Sequence, residues 1–272
     1  MRKDILESSR KMRRQRTLRG FSIFGAVVLV LIFAFAGLAR IPYFKIKKVA
    51  IEGNATLGSE ELMSGVLGAM AGNYFFIFPK DNILLASSGK IETKILNDFP
   101  RVRSVLISKN LPDSLLIKIE ERKSIALLCK DAPPEGGCYF LDENGFAFEK
   151  SPYFSGNIFI KFTDERENPT WKSGFQVVSE EQFKGLIAFI NSASGKDIKI
   201  TDVILKKEGV YNLNTQENWQ IILSERNNFA SAGWRIAADN LKIVLESQIK
   251  NRRSELEYID LRLANKVFYK FK

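Results

Sequence analysis

Gly20-Phe21-Ser22-Ile23-Phe24-Gly25-Ala26-Val27-Val28-Leu29-Val30-Leu31-Ile32-Phe33-Ala34-Phe35-Ala36-Gly37-Leu38-Ala39 carries no charge, and Ser22 is its only polar side chain. A helix rising about 1.5 Å per residue needs roughly twenty residues to cross a hydrocarbon core of about 30 Å. The run is long enough to cross once. Nineteen residues precede it and 233 follow, the layout of an anchor with its working part on one side.

The flanks orient the anchor. Before it stand Arg2, Lys3, Arg10, Lys11, Arg13, Arg14, Arg16 and Arg19 against Asp4 and Glu7; residues 40–59 hold only Arg40, Lys45, Lys47 and Lys48. This bias predicts a cytoplasmic tail (1–19), a transmembrane helix (20–39) and an exported body, in a single-pass protein of the cytoplasmic membrane. The alternative is a cleaved signal peptide, for which Gly37-Leu38-Ala39 offers small residues. Signal cores are shorter, about 7–15 apolar residues.

The tail supplies +6 of the formal charge of +10. Elsewhere lysines and acids are interspersed, a pattern that suits orientation and contact with membrane lipid, not nucleic acid. The chain has no histidine, which removes Ser–His–Asp and Cys–His nucleophiles and histidine-rich zinc sites. Two cysteines, Cys129 and Cys138, cannot close a structural zinc site, so no metal or cofactor is expected. They flank a loop holding Pro133-Pro134 and Gly136-Gly137. In an oxidising exterior a disulfide there contributes about 2–3 kcal/mol; the alternative is two reduced thiols. Gly136-Gly137 lacks the Lys-Ser/Thr that follows in a phosphate-binding loop.

The exported length suits about two domains. In the first, the run Phe44 to Ile51 alternates as a half-buried strand and stops at Gly53-Asn54. Ser59 is a candidate N-cap before Glu60 and Glu61, and Leu62, Val66, Leu67 and Met70 form an apolar face. After a dense apolar stretch, Tyr74 to Phe78, Asp81 opens a second helix that ends at Phe99-Pro100. Strands Val102 to Lys109 and Ser114 to Glu121 follow, joined by a turn at Asn110-Leu111-Pro112-Asp113.

The order strand, helix, helix, strand, strand behind one anchor resembles a POTRA domain. Several segments resemble the version in the FtsQ/DivIB bacterial cell-division family: Phe44 to Asn54, Phe99-Pro100-Arg101-Val102, Leu111-Pro112-Asp113-Ser114-Leu115 and Glu120-Glu121-Arg122-Lys123. The resemblance implies a POTRA domain over 44–122 that is a non-catalytic interaction module.

The remainder, 123–272, reads as a mostly antiparallel β domain with flanking helices, so the fold class is α+β. Strands are predicted over 125–129, 138–141, 146–148, 157–162, 198–207, 210–213 and 219–224, with Ile158, Ile160 and Phe162 on one face. A tight turn is predicted at Asp142-Glu143-Asn144-Gly145. Helices are predicted over 180–192 and 229–252, the latter with a stripe of Trp234, Ala237, Leu241, Val244 and Leu245. The final segment starts Tyr258-Ile259-Asp260-Leu261-Arg262-Leu263-Ala264, with Ile259, Leu261 and Leu263 inward and Tyr258, Asp260 and Arg262 outward. As a terminal strand with an unpaired edge, it offers a template for a partner strand. The bland reading of the outer trio is a cross-strand ion pair with a covering tyrosine.

Tyr258 to Arg262 also resembles the closing signature of FtsQ/DivIB. The resemblance implies a division-site scaffold for septum formation whose partners are of the FtsB/DivIC and FtsL type, with no small-molecule substrate. Partner-binding residues on that reading are Tyr258, Asp260, Arg262, Leu263 and Ala264, Arg262 meeting a partner carboxylate. The enzyme alternative is a membrane-anchored cell-wall hydrolase or transferase using two carboxylates, such as Asp142 with Glu149 or Asp202 with Glu208. A third class is a POTRA-bearing translocation component, which usually carries tandem copies where this chain shows one.

Overall fold

The computed structural model describes residues 2–130, 137–154, 156, 158–166, 173–195, 197–228 and 233–272, with only the backbone at 2–18 and 227–228. The basic side chains before Arg19, the Pro133-Pro134 and Gly136 of the cysteine loop, Asn157, and positions 229–232 of the expected helix lie outside the described residues. The chain divides into two compact units, Met1–Glu121 and Arg122–Lys272.

Helix α1 (Arg2–Ala39) contains one stretch, Arg19–Ala39, long and apolar enough to cross a membrane, and its side chains there point almost entirely away from protein. A 3-10 turn (Pro42–Phe44) leads to strand β1 (Lys48–Glu52), so the strand starts four residues later than the alternation suggests. The missing part pairs elsewhere: Ile46 donates its N–H to Asp81 O at 2.8 Å, and Ile83 donates to Phe44 O at 2.8 Å.

Helix α2 (Ser59–Met70) is capped by Gly58, not Ser59, whose hydroxyl instead accepts from Asn54 Nδ2 at 2.9 Å. Leu62, Val66 and Met70 are buried, but Leu67 is 54% exposed, because one step along a helix turns a side chain about 100°. A small hairpin, β2 (Asn73–Tyr74) and β3 (Phe78–Pro79), takes up the dense apolar stretch. Helix α3 (Ser88–Asp98) starts seven residues after Asp81, with Ser87 as its N-cap. The delay traces to buried Asn82, whose Oδ1 accepts the Leu84 N–H at 2.9 Å and holds the segment in a turn.

Strands β4 (Val102–Asn110) and β5 (Ser114–Glu121) complete a sheet of order β1-β5-β4, with β1 parallel and β4 antiparallel to β5. Alternation puts Leu115, Ile117 and Ile119 into one core with Leu62, Val66, Ile91 and Ile95 of the helices. At the far end of β1, Gly53 has φ +90°, and a Cβ there would sit 2.1 Å from Ile119 O. The Glu121 carboxylate accepts the N–H groups of Ala55, Thr56 and Leu57 at 2.7, 3.0 and 3.0 Å, closing the next loop. Burial pushes its pKa up, but the backbone donors at Leu57, Ala55 and Thr56 and a Thr56 side-chain bond outweigh this, and the net direction is down.

In the second unit come β6 (Ala126–Cys129), β7 (Cys138–Leu141), β8 (Phe146–Ser151), β9 (Ile160–Asp164), β10 (Phe175–Gln176), α4 (Glu180–Ser194), β11 (Ile200–Lys206), β12 (Val210–Thr215), β13 (Gln220–Ser224), α5 (Glu225–Asn228), α6 (Gly233–Val244), β14 (Leu256–Leu263) and β15 (Lys266–Phe271). The strands form one sheet, ordered β10-β8-β7-β6-β9-β11-β12-β13-β14-β15. Neighbours are antiparallel except β6/β9, β9/β11 and β13/β14, whose parallel pairing requires crossover connections. Ile158 stands 69% exposed before β9 begins, so it does not share a face with buried Phe162.

Ser179 and Gln182 form a capping box at α4, which buries Phe183, Leu186, Phe189 and Ile190. Helix α6 buries Ala237, Ala238, Leu241 and Val244 in the same core. The single helix expected to Arg252 changes after Val244 to a π turn (Leu245–Ile249) and a 3-10 turn (Lys250–Glu255), with Lys250 at φ 50°. Cys129 and Cys138 face each other in the β6–β7 register and are disulfide-bonded, Cα atoms 4.2 Å apart. Asp142, buried in the turn after β7, accepts from Asn144 N and Phe146 N at 2.9 and 3.0 Å and pairs with Arg122 at 2.5 Å.

Gly53→Ala forces a side chain onto a backbone oxygen at a left-handed position. We expect a loss of about 2–3 kcal/mol, read as lower thermal stability of the first unit in the detergent-solubilised chain.

Candidate protein-docking edge

Strand β14 is built to be an interior strand. Leu256, Ile259 and Leu261 are at most 1% exposed and join the core under α4 and α6. On one side Tyr258, Ile259 and Asp260 pair in parallel with Gln220, Ile221 and Ile222 of β13. On the other, Tyr258, Ile259 and Asp260 pair antiparallel with Lys270, Tyr269 and Phe268 of β15. The expected docking edge on Tyr258–Ala264 is therefore occupied along Tyr258–Asp260 by the chain's own backbone. The sheet boundary lies one strand further out, at β15.

The site residues named from sequence separate accordingly. Tyr258 and Asp260 are half-buried, whereas Arg262, Leu263 and Ala264 are exposed. Leu263 is 46% exposed and does not join Ile259 and Leu261, because the register shifts between Asp260 and Leu263 and breaks the two-residue alternation. Arg262 turns back along its own strand. Its Nε and Nη2 reach Asp260 at 3.0 and 2.7 Å, and its N–H donates to Asp260 Oδ1 at 3.0 Å. The ion pair of the bland reading thus exists, but within one strand. Burial pushes the Asp260 carboxyl up, and the Arg262 side-chain and backbone hydrogen bonds outweigh it, leaving a pKa below the usual carboxylate range. A partner carboxylate would have to compete with Asp260 for that guanidinium.

The outer edge of β15 has no strand partner among the described residues. Lys272 donates its N–H inward to Glu255 O at 2.9 Å. Backbone groups alternate direction along an antiparallel strand, so Lys270 and Phe268 also face β14, while Val267, Tyr269 and Phe271 present N–H and C=O outward. Phe268 and Tyr269 are 53% and 39% exposed. The strand is pinned from behind by Lys270–Glu257 at 2.6 Å, by the Arg252 guanidinium 4.0 Å over the Phe271 ring, and by Asn240 Nδ2 donating to Ala264 O at 3.0 Å. The result is an edge that carries Phe268, Tyr269 and Phe271 and is tied back to its own unit. Its signal in the sequence is Ala264-Asn265, a turn that returns the chain antiparallel, followed by alternation at Val267, Tyr269 and Phe271.

The carboxylates of the enzyme alternative do not converge as pairs. Asp142 is committed to Arg122 and two backbone N–H groups, while Glu149 stands opposite Phe140 on β8. Asp202 lines a cleft of about 430 Å³ with Glu165, not with Glu208, and Glu165 is held by Lys206 at 2.9 Å. No group of three or more metal-ligating side chains occurs among the described residues.

Residues 44–122 match the family described as POTRA domain, FtsQ-type. The chain is 29% identical over 167 residues to a cell division protein DivIB of Clostridium acetobutylicum, covering 60% of this chain and 61% of that protein. It is 29% identical over 126 residues to a cell division protein FtsQ of Syntrophotalea carbinolica, covering 46% of this chain and 39% of that one. A DivIB of Clostridium botulinum matches at 28% over 128 residues, 46% of this chain and 44% of the relative. Each likeness spans less than two thirds of the relative's length. The domain match and these relatives make the chain similar to proteins of the FtsQ/DivIB type.

Arg262→Ala removes the guanidinium hydrogen bonds and charge that help depress the Asp260 pKa, while the backbone N–H of position 262 still donates to Asp260 Oδ1. A depressed folded-state pKa contributes stability above the unfolded value, lost as pH falls through the folded one. Screened by solvent, the loss is about 0.5 kcal/mol at neutral pH. It should vanish in acid once Asp260 is protonated in both proteins, as a series of urea titrations at stepped pH would read.

Proposed function

We propose that this chain is a non-catalytic, single-pass scaffold of the bacterial division machinery, with its N-terminal tail in the cytoplasm and both folded units exported. It recruits partners of the FtsB/DivIC and FtsL type during septum formation, by pairing a partner strand to the outer edge of β15. The division role is supported by the FtsQ-type POTRA match and by the names of the relatives. Single-pass membrane attachment is supported by Arg19–Ala39, the one stretch among the described residues long and apolar enough to cross a membrane.

The observation that carries the docking reading is the open edge of β15. β15 has no outer strand partner among the described residues, so alternation turns the backbone groups of Val267, Tyr269 and Phe271 toward solvent, while Leu263, Phe268 and Tyr269 keep apolar surface there. Main-chain bonds of an added strand would supply affinity, and these side chains would select the partner. Arg262 and Asp260 contribute at the rim as a preformed ion pair, where charge steers encounter more than it adds affinity.

Proline is tolerated on an edge strand where its missing N–H faces solvent. Tyr269→Pro should therefore keep the sheet, with circular dichroism unchanged, and cut capture of the FtsB/DivIC-type partner from crosslinked membranes by about tenfold or more. Undiminished capture by a folded Tyr269→Pro protein would remove β15 as the docking edge.

A further inference from the structure

The β2–β3 hairpin ends in two phenylalanines that no packing in protein explains. Phe75 and Phe76 are 85% and 94% exposed. Both have positive φ, 48° and 62°, and Ile77 closes the turn by donating its N–H to Tyr74 O at 3.1 Å. Two central residues at positive φ are the pattern that asparagine and glycine fill without strain. Bulky side chains there are outliers, so this tip combines backbone strain with full exposure of two aromatic rings.

The hairpin's position supplies what water does not. The Phe78 ring lies 5.8 Å from Phe35 of α1, and Arg40 donates from Nη2 to Ile77 O at 3.3 Å. Asn82 Nδ2 donates to Ala39 O at 2.8 Å. Ala36 is only 3% exposed, although its neighbours Phe33, Phe35 and Leu38 are all above half. Phe35 stands four residues inside the end of the apolar stretch, about 6 Å along the helix axis. The hairpin thus lies beside the last turns of the helix, the level at which hydrocarbon would meet headgroups around a spanning α1. Phe76 and Phe75 precede Ile77 by one and two peptide units, no more than about 7 Å of chain.

The surroundings match an interface. Tyr43 is 61% exposed, and Tyr74 lies beneath the ammonium groups of Lys80 and Lys90, 5.6 and 4.7 Å from its ring centre. Tyrosines with one apolar and one polar end collect at bilayer surfaces, and lysines there meet anionic headgroups.

We infer that the β2–β3 hairpin inserts Phe75 and Phe76 into the leaflet beside the Ala39 end of α1, as a second lipid contact. The inference rests on α1 crossing the bilayer. With two points of attachment, the domain that follows α1 is held at a set tilt to the membrane instead of swivelling on one helix.

The test uses the full chain in liposomes, with single introduced cysteines carrying an environment-sensitive nitrobenzoxadiazole label and the native disulfide left intact. Phe76→Cys reports the tip, Phe33→Cys the span, and Glu60→Cys, on the first turn of α2, the aqueous face. Phosphatidylcholine bearing a nitroxide near the carbonyl end of its acyl chains is the quencher. Insertion predicts blue-shifted emission and loss of most fluorescence at Phe76→Cys, and neither at Glu60→Cys. A water-like, unquenched label at Phe76→Cys beside a quenched Phe33→Cys overturns the inference. So does a blue-shifted but unquenched one, which would mean protein contact. An unquenched Phe33→Cys overturns it at its premise, the spanning helix.

Discussion

Backbone N–H and C=O groups must find partners, and this obligation organises the whole chain. Along Arg19–Ala39 the partners lie within one helix, the arrangement that hydrocarbon permits. In the second unit the same obligation is met, among the described residues, by ten strands in one sheet, each interior strand paired on both sides over at least part of its length. An open sheet must end somewhere, and the last strand keeps a row of groups that only water or another chain can satisfy. The candidate docking edge is that remainder.

Acidic and amide side chains serve the same obligation where no strand can. Glu121 gathers the N–H groups of Ala55, Thr56 and Leu57, and Asp142 those of Asn144 and Phe146. Asn82, 2% exposed, donates to Ala39 O and accepts from Leu84 N. Each stands where the chain leaves a regular element. Glu121 and Asp142 are thus spent on architecture.

Much of the first unit was legible because its elements carry short-range signals. Alternation marked β5, with Leu115, Ile117 and Ile119 inward, and Phe99-Pro100 marked the end of α3. Errors arose where a distant group overrode local pattern. The alternation from Phe44 reads as one strand, yet its first residues bond to Asp81 and Ile83, so β1 starts at Lys48. Asp81 reads as a helix start, yet the Asn82 side chain holds that segment in a turn. In the candidate site, alternation marks Tyr258 to Arg262 as a strand, but the turn at Ala264-Asn265 brings β15 back alongside it, so the edge lies on β15.

By itself the sequence determined the uncharged run from Gly20 to Ala39, the mixed α+β character, and the period-two pattern that buries Ile259 and Leu261. These follow from composition and periodicity, which depend only on neighbours along the chain. Tertiary structure alone decided that β14 lies between β13 and β15, that Arg262 closes on Asp260, and that Phe75 and Phe76 stand beside the end of α1. Strand order and hairpin placement are long-range pairings, chosen by which backbone groups remain unsatisfied once every local choice has been made.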